Sequence, residues 1–485
     1  MSIAAGSALG TAMRPSLELS RFLSLFVVRR IFRKGVLQIP MFRWSLGIAA
    51  VVAFCAFCAF GVVTLRQLIA DPAMLSPLLR VVGTSTPLWV LTIFTVVRVL
   101  FMKSSDLVEL TFSFPLTNRA RTLGFLLFEA LLVGIGVAVT LGAVVTGTIW
   151  IGGVGILGDI VTCLVMPTVA CYLLASVYYF ALERLLLRLR LARLRAFLVP
   201  VVLAATLVAV YVGVSAQSEP VLFAAAGQGD DYFAIQLLFA DIAAAHGPIA
   251  ATASWLVVVA VLVVAVCATA PRQFDPTRRF VALPRLFGSS EFGAYVAAHL
   301  RAIETITVCG IVFAGSYALF IAQVRLPPFL LVAVTVQAVY AYVATEPLRT
   351  SGPRRHTASL QYLLLLGPQL LMLLVLAVPT GILSALTGAR WDEILVVVAF
   401  CVSNIVVLTL AGIAFPPEKG NPFSVIAGVA VAGLVTGTIM LGTNLLGLPD
   451  WFNVAVMILL TLTAVALSIN GMRKIERTSR HEVVV

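Results

Sequence analysis

Seven cysteines and four histidines are the residues of this sequence that could bind a metal or carry redox chemistry. Cys55 and Cys58 form a CxxC pair, a spacing found in zinc sites and thiol oxidoreductases. All seven cysteines, however, lie within strongly apolar runs, where cysteine acts as a small, polarizable apolar residue. The histidines complete no zinc set, because they are scattered through loops and tails at His246, His299, His356 and His481. We therefore predict no metal site, no cofactor in this chain and no catalytic constellation.

Nucleotide binding by the chain itself is excluded on similar grounds. A Walker loop needs GxxxxGK followed by Ser or Thr, so that glycine backbone groups can cradle the phosphates. The sequence has no such motif, and Lys34-Gly35 and Lys419-Gly420 have the reverse order. The chain is therefore predicted not to be an enzyme. If ATP drives it, a partner must bind the ATP and its Mg²⁺.

Arg98 and Glu129 are ionisable residues inside long apolar runs. A lone charge at the centre of a membrane helix costs about 2.5–3.5 kcal/mol, and less near the boundary. On antiparallel neighbouring helices both residues would lie roughly 8–9 Å below the inner boundary, at 1.5 Å per residue. One interpretation is an intramembrane ion pair. The alternative is that each side chain extends separately to water, and a proton relay is a third interpretation.

The composition sets the fold class. The 485 residues are 61% hydrophobic and 11% charged, whereas soluble chains are roughly 45–50% apolar and about 25% charged. We predict an all-α polytopic membrane protein with twelve transmembrane helices, because twelve runs approach the roughly 20 residues that cross about 30 Å of hydrocarbon. The runs cover residues 44–65, 87–102, 123–149, 160–182, 197–215 and 249–270, then 305–324, 329–345, 360–386, 394–415, 425–446 and 452–469.

The distribution of basic residues predicts the topology. Placing both termini in the cytoplasm leaves four basic residues in the outside loops, namely Arg66, Arg80, Arg325 and Arg390. Nearly all the others then fall inside, as the positive-inside rule requires. The net charge of +12 could suggest nucleic-acid binding, but its arrangement in short blocks between apolar runs fits membrane topology better. We predict no nucleic-acid partner.

Two cytoplasmic helices are predicted beside the spans of the first half. Residues 15–34 form one at the inner membrane surface, with an apolar face of Leu19, Phe22, Leu23 and Phe26; no cleavable signal peptide is visible. The other is an extension of the fourth span that carries three arginines on one face, where they anchor the topology. These arginines are Arg184, Arg188 and Arg195.

The twelve spans divide into two six-helix halves, residues 1–270 and 271–485, each beginning with an amphipathic helix on the cytoplasmic side. The second half starts with a proline-punctuated linker at 271–293 and ends in a C-terminal tail. The halves differ at the outside loop 218–248, which contains an apolar piece, 220–226, and a possible helix, 232–244. This loop either dips into the outer leaflet or caps an exit path, or it is a solvated surface loop.

The stretch ELTFSFPLTNRART, residues 109–122, follows the second span. A loop that only connects two spans needs a few polar residues, whereas this one also contains aromatic residues and arginines. Phe112, Phe114 and Leu116 alternate with polar residues, and two arginines follow. Exposed aromatics beside fixed positive charge suit a protein interface. The alternative is that the aromatics rest in the lipid interface and the arginines meet phosphates.

The pattern DLVELTFSFPLTNRARTLGFLLFEALL resembles the region after the second span in permeases of the type V ATP-binding-cassette exporters. The segment FPPEKGNPFS, residues 415–424, also resembles a loop of their tandem twelve-span bacterial members. The resemblance implies that the first loop is a coupling helix that docks on a cytoplasmic ATPase, with contacts from Phe114, Pro115, Leu116, Arg119 and Arg121. In the second half the equivalent residues would be Pro353, Arg354 and Arg355. Two ATPase domains would then serve this single chain.

We therefore expect the permease subunit of an exporter in a bacterial plasma membrane, powered by separate ATPase subunits. Apolar spans with few polar residues suggest an amphipathic or lipophilic substrate: a drug, a peptide or a lipid. The alternative is an ion-coupled secondary transporter, which also has six-plus-six architecture. A membrane enzyme or assembly scaffold is disfavoured, because no catalytic residues cluster.

Overall fold

The computed structural model describes residues 3–32, 40–69, 74–98, 111–191, 194–225, 232–271, 290–322, 328–351, 357–414, 433, 437 and 449–482. Regular structure in these ranges is helical, and no strand forms in them. The chain divides into two compact units. The first comprises Met1–Val27, Ile48–Arg195 and Thr206–Asp275, and the second comprises Val28–Gly47, Ala196–Ala205 and Pro276–Val485. The halves predicted at 1–270 and 271–485 stay a prediction.

The helices of the first part of the chain, in order, are α1 (Ile3–Phe32), α2 (Pro40–Leu68), α3 (Leu75–Thr95), α4 (Asn118–Gly152), α5 (Leu157–Ile160), α6 (Met166–Arg188), α7 (Arg195–Ala225), α8 (Leu238–His246) and α9 (Pro248–Thr269). A 3₁₀ turn precedes α5 and a π-helical turn, Val161–Val165, joins it to α6. The remaining helices are α10 (Glu291–Arg301), α11 (Ile303–Ile321), α12 (Val332–Thr335), α13 (Ala338–Ala344), α14 (Glu346–Ser351), α15 (Ala358–Leu386), α16 (Trp391–Ala414) and α17 (Asp450–Glu482).

Nine stretches in the described part of the chain are helical, long and apolar enough to cross a membrane. The chain is therefore a multi-pass helical membrane protein. The stretches are Arg43–Leu68, Leu75–Arg98, Asn118–Gly152, Val154–Arg188, Phe197–Ala224, Pro248–Thr269, Ala358–Leu386, Trp391–Ala414 and Trp451–Lys474. They correspond to nine of the twelve predicted spans, including all six of the first half.

The other three predicted spans differ. The run 305–324 becomes a shorter apolar helix, Thr305–Ile321, and the run 329–345 is not one helix but the short pieces α12 and α13. The run 425–446 lies outside the described residues.

One predicted boundary was wrong. The second span begins at Leu75 rather than at residue 87, because the polar stretch before Pro87 is helical. Thr84 and Ser85 donate their hydroxyls to Val81 O and Val82 O, both at 2.7 Å. Hydroxyls that bond the backbone of their own helix are compatible with an apolar environment.

Threonine caps begin the helices that follow the two predicted coupling loops. Thr117 accepts a hydrogen bond from the amide of Ala120 at 3.3 Å, and Thr357 accepts one from the amide of Leu360 at 3.4 Å. Both threonines are extended, with φ of −65° and −67°. A side-chain cap satisfies one of the free amides of a first turn and fixes where the helix begins. The two loops therefore end in the same local geometry.

Part of the segment predicted as the long outside loop, residues 218–248, packs against α3. Residues 220–225 of the predicted apolar piece continue α7, and a helix forms over Leu238–His246, where one was predicted at 232–244. Leu237 is 2% exposed and lies in a small apolar cluster with Val221, against Val81 of α3. Arg80 of α3 also pairs with Asp241 of α8. These contacts hold α8 against α3.

In the second unit α16 is a central helix of the apolar core. Its Cys401 and Ile405 are fully buried beside Val334 and Val339 of the α12–α13 segment. A Cβ added to Gly412 would lie 2.4 Å from Val339 O, so only glycine allows α13 to approach this closely.

His299, on helix α10, is a buried histidine. It is 1% exposed, and its Nε2 has no hydrogen-bond partner among the described residues. Burial disfavours the imidazolium and lowers the pKa of His299 to about 4. In the unfolded chain the pKa of a histidine is about 6.5.

We predict that the free energy of unfolding decreases as the pH falls from about 6.5 to about 4, by up to about 1.4 kcal/mol per pH unit. The unfolded chain takes up the proton of His299 in this window, whereas the folded chain does not; above the window the contribution is fully present. Denaturant titrations of the detergent-solubilised protein measure the slope. His299→Phe should flatten it, and changing the exposed His246 to Gln should not. An unchanged slope in His299→Phe would refute this origin.

Candidate functional site

The loop before α4 is held by its own side chains. The guanidinium of Arg121 stacks on the ring of Phe112, with Cζ 3.6 Å from the ring centre, and also donates to Asn118. The amide of Leu116 donates to Phe114 O at 2.7 Å, which closes a tight turn around Pro115. The turn, the stack and the Thr117 cap together define the shape of this loop.

Helix α1 packs against the same loop and the first turns of α4. Ser16 Oγ donates to Ala120 O at 3.0 Å, and the ring of Phe22 meets Phe114 edge to face at 5.7 Å. A Cβ on Gly124 would lie 2.8 Å from Leu19 Cδ2, so glycine permits this close approach. The predicted apolar face of α1 therefore contacts protein through Leu19, and Phe22 is 43% exposed.

The five predicted contact residues of the first loop lie in different environments. Pro115 and Arg119 are exposed, Phe114 and Leu116 are half-buried, and Arg121 is only 9% exposed. Phe112 and Phe114 were expected to be exposed. Arg121 instead stacks on Phe112, and Phe22 packs against Phe114, so both rings are partly covered. The exposed part is Pro115 with Arg119. The predicted second-half contacts Pro353, Arg354 and Arg355 lie outside the described residues.

The structure brings Arg98 and Glu129 together. Arg98 Nη1 donates to Glu129 Oε2 at 3.0 Å, and the two side chains are 11% and 2% exposed. Arg98 follows α3 in a π-helical turn, residues 96–98, and Glu129 lies on α4. Pairing offsets the cost of taking each charge out of water. This geometry agrees with the ion-pair interpretation and not with separate extension to water.

Tyrosines of α6 complete the surroundings of the pair. Tyr172 OH lies 2.8 Å from Leu126 O and 3.3 Å from Glu129 Oε2. Arg98 Cζ also lies 4.7 Å from the ring centres of both Tyr179 and Phe180, which is a cation–π geometry. Helices α3, α4 and α6 therefore meet at this pair.

A second charged pair adjoins the first. Tyr179 OH donates to Glu183 Oε1 at 2.9 Å, and Arg195 Nε lies 4.0 Å from the same oxygen. Arg195 is 8% exposed and is the first residue of α7. The predicted continuation of one helix from Arg184 to Arg195 is therefore wrong.

The helix ends early because the chain turns after Arg188. Arg190 has a φ of +59°, and the amide of Leu191 donates to Leu186 O at 2.9 Å. A left-handed residue followed by such a bond is a common helix termination. The turn directs Arg195 back toward Glu183.

Tyr172, Tyr179 and Glu183 were not predicted as members of this cluster, although the sequence contains a signal for them. Tyr172, Ser176, Tyr179 and Glu183 are spaced by four, three and four residues, which places them on one face of α6. A polar stripe inside an apolar helix indicates a buried polar partner on a neighbouring helix.

The cluster is an electrostatic junction in which two arginines, two glutamates and two tyrosines contact one another. Within the described residues no three His, Cys, Asp or Glu side chains could together hold a metal ion. It joins three helices to the loop through α4, which carries both Arg121 and Glu129. Comparisons of the chain with protein-family models, curated proteins and solved structures find no match.

We predict strong coupling in a double-mutant cycle on Arg98 and Glu129. Arg98→Ala and Glu129→Ala should each lower the free energy of unfolding by about 3–5 kcal/mol, because each leaves a buried charge without its partner. The double variant should lose clearly less than the sum of the two. The measurement is the free energy of unfolding in detergent of the wild type, the two single variants and the double variant.

The exposed pair Arg390–Asp392 is the matched control. Its oxygen–nitrogen distance is 2.8 Å, similar to that of the buried pair, but its side chains are 75% and 62% exposed. Its cycle should show little coupling, because water screens the charges. Additive effects at Arg98 and Glu129, as small as those of the control, would contradict a functional ion pair.

Proposed function

We propose that the chain is the transmembrane permease of an ATP-driven exporter that moves an amphipathic or lipophilic molecule out of the cytoplasm. Separate ATP-binding-cassette ATPase domains, two for each chain, bind the ATP and Mg²⁺. The protein resides in a bacterial plasma membrane with both termini in the cytoplasm. The single observation that carries the proposal is the ordered loop before α4. Its Pro115 and Arg119 are exposed, and the stack of Arg121 on Phe112 fixes its conformation.

The contacts of this loop support a mechanical role. A simple connection between two spans needs no stacked arginine, no packed aromatic pair and no contact with an N-terminal helix. Here Phe112 and Phe114 each have a partner, so a force applied at Pro115 is transmitted to α1 and α4 rather than absorbed by a flexible loop.

Helix α4 provides the path from the loop into the membrane. Glu129 lies about 12 Å along the helix from Arg121, at 1.5 Å per residue. Its pairing with Arg98 and its contact with Tyr172 link α4 to α3 and α6. A displacement of the loop would therefore move three spans together, as alternating access requires. The apolar lining expected of these spans supports a lipophilic cargo.

We predict that charge reversal at Arg119 disrupts the complex with the ATPase but not the fold. In affinity purification from the native host, the wild-type chain should retain an ATP-binding-cassette ATPase in a ratio of two domains per chain. Arg119→Glu should lose most of the ATPase with an unchanged unfolding midpoint, because the Arg119 side chain is exposed. Quantitative mass spectrometry of the eluate measures the ratio.

The control reverses another exposed arginine on the predicted cytoplasmic side. Arg188, the last residue of α6, is exposed and lies outside the loop. Arg188→Glu should leave the ratio at two. A wild-type chain purified without any such ATPase would contradict the proposal, and equal loss in both variants would contradict docking at this loop.

A secondary transporter is the second candidate, and one observation favours it. Glu129 Oε1 is buried and has no hydrogen-bond partner among the described residues. Buried carboxylates within membrane helices often carry protons in ion-coupled transporters. On this alternative, a proton gradient alone drives transport in proteoliposomes and Glu129→Gln abolishes it. Insensitivity of transport to the gradient would exclude it.

A further inference from the structure

The segment 328–344 of the second unit is apolar but broken. It contains no proline or glycine after Pro328, yet it runs as a 3₁₀ turn, then α12, a turn at Val336 and Gln337, then α13. The amides of Val336 and Tyr340 donate to carbonyls three residues back, at 3.3 and 2.9 Å. Tightly wound stretches within helices often mark hinges. In a membrane, irregular backbone occurs where protein covers it or where it lines a binding cavity.

The break carries a buried amide without a partner. Gln337 is 2% exposed, and neither its Oε1 nor its Nε2 has a hydrogen-bond partner among the described residues. A carboxamide offers two donor hydrogens and an acceptor oxygen, so leaving all of them unpaired inside protein costs free energy. The neighbouring Thr335 is different, because its hydroxyl donates to Val332 O and accepts from Asn404.

Gln369 shows that the same unit can satisfy a buried amide. It lies on α15 and is fully buried. Its Nε2 donates to Leu365 O at 2.9 Å, and its Oε1 accepts from Thr409 at 3.4 Å. Two glutamines of equal burial thus differ only in whether the protein itself provides their partners. The unpaired one lies at the break.

The surrounding helices define what could pair with Gln337. Residues 305–321, 328–345, 358–386 and 394–414 contain no charged side chain. Val334, Ala338 and Val339, on either side of Gln337, belong to the apolar core. An ionic ligand would find no counter-charge here, whereas an amide can form two parallel hydrogen bonds with a carboxamide, one donated in each direction.

We propose that Gln337 is a binding residue for an apolar molecule that carries an uncharged amide group. In the conformation described, both amide atoms are shielded from solvent, so binding requires the chain to move at the Val336–Gln337 turn. The free energy lost by the unpaired amide favours that movement, and the bound amide recovers it. This inference goes beyond the exporter proposal, because binding at Gln337 needs neither ATP nor an ATPase.

The test uses the purified full chain in lipid nanodiscs without nucleotide. The probe is N-acetyl-leucyl-leucinamide, and leucyl-leucinamide, which carries a charged amine, is its control. The unfolding temperature of the wild-type protein should rise with the concentration of the acetylated probe, because a ligand that binds only the folded state stabilises it. The charged control should require at least tenfold higher concentration for the same shift.

Two matched variants separate binding from structure. Gln337→Met keeps the side-chain volume, so its unfolding temperature without probe should equal or exceed that of the wild type, and its response to the probe should disappear. Gln369→Met should unfold at lower temperature, because Thr409 and Leu365 O lose a partner, and it should keep the response.

Three results would overturn the inference. A flat response of the wild type to both probes would exclude amide binding. An undiminished response in Gln337→Met would place the site elsewhere. An unfolding temperature of Gln337→Met as low as that of Gln369→Met would show that the amide is already hydrogen-bonded, for example to a buried water. None of these results bears on the exporter proposal, since no ATPase takes part.

Discussion

The packing of the first unit depends on one requirement, that the carboxylate of Glu129 has a counter-charge inside an apolar helix bundle. Arg98 meets that requirement from α3, and Tyr172 contributes a hydroxyl from α6. Phe94 packs edge to face against both Tyr172 and Tyr179 and encloses the pair. An unpaired charge here would cost several kcal/mol, so the three helices have one favourable arrangement rather than several. The pair therefore acts as a fixed junction.

The loop before α4 is connected to this junction through α4 itself. A partner protein that pushes on Pro115 or Arg119 acts on a loop stiffened by the Arg121–Phe112 stack and covered by α1. Because α4 continues from the loop to Glu129, the push reaches α3 and α6 through a rigid element. In the described core of the second unit, apolar contacts are joined by hydroxyl and amide hydrogen bonds such as that from Asn404 to Thr335.

Hydrophobic length and charge position were sufficient to predict the class of fold, nine spans and the proximity of Arg98 to Glu129. They were insufficient where the chain reverses direction or bends without a proline or glycine at that point. Arg195 returns to Glu183 only because Arg190 adopts a left-handed conformation, for which arginine is a poor signal. The break at Gln337 has no proline or glycine, and Arg121 is buried by a cation–π stack that spacing alone does not reveal. Each of these depends on contacts between residues that the sequence does not place together.

The central claim is that the energy for transport comes from a separate ATPase and enters through the loop before α4. The most direct measurement is uptake of a fluorescent lipophilic cargo into inside-out proteoliposomes that contain the chain and its ATPase. The account predicts uptake that requires ATP, persists when a protonophore collapses the gradient and follows substrate-stimulated ATP hydrolysis. Uptake driven by a proton or sodium gradient in liposomes that contain the chain alone would contradict it.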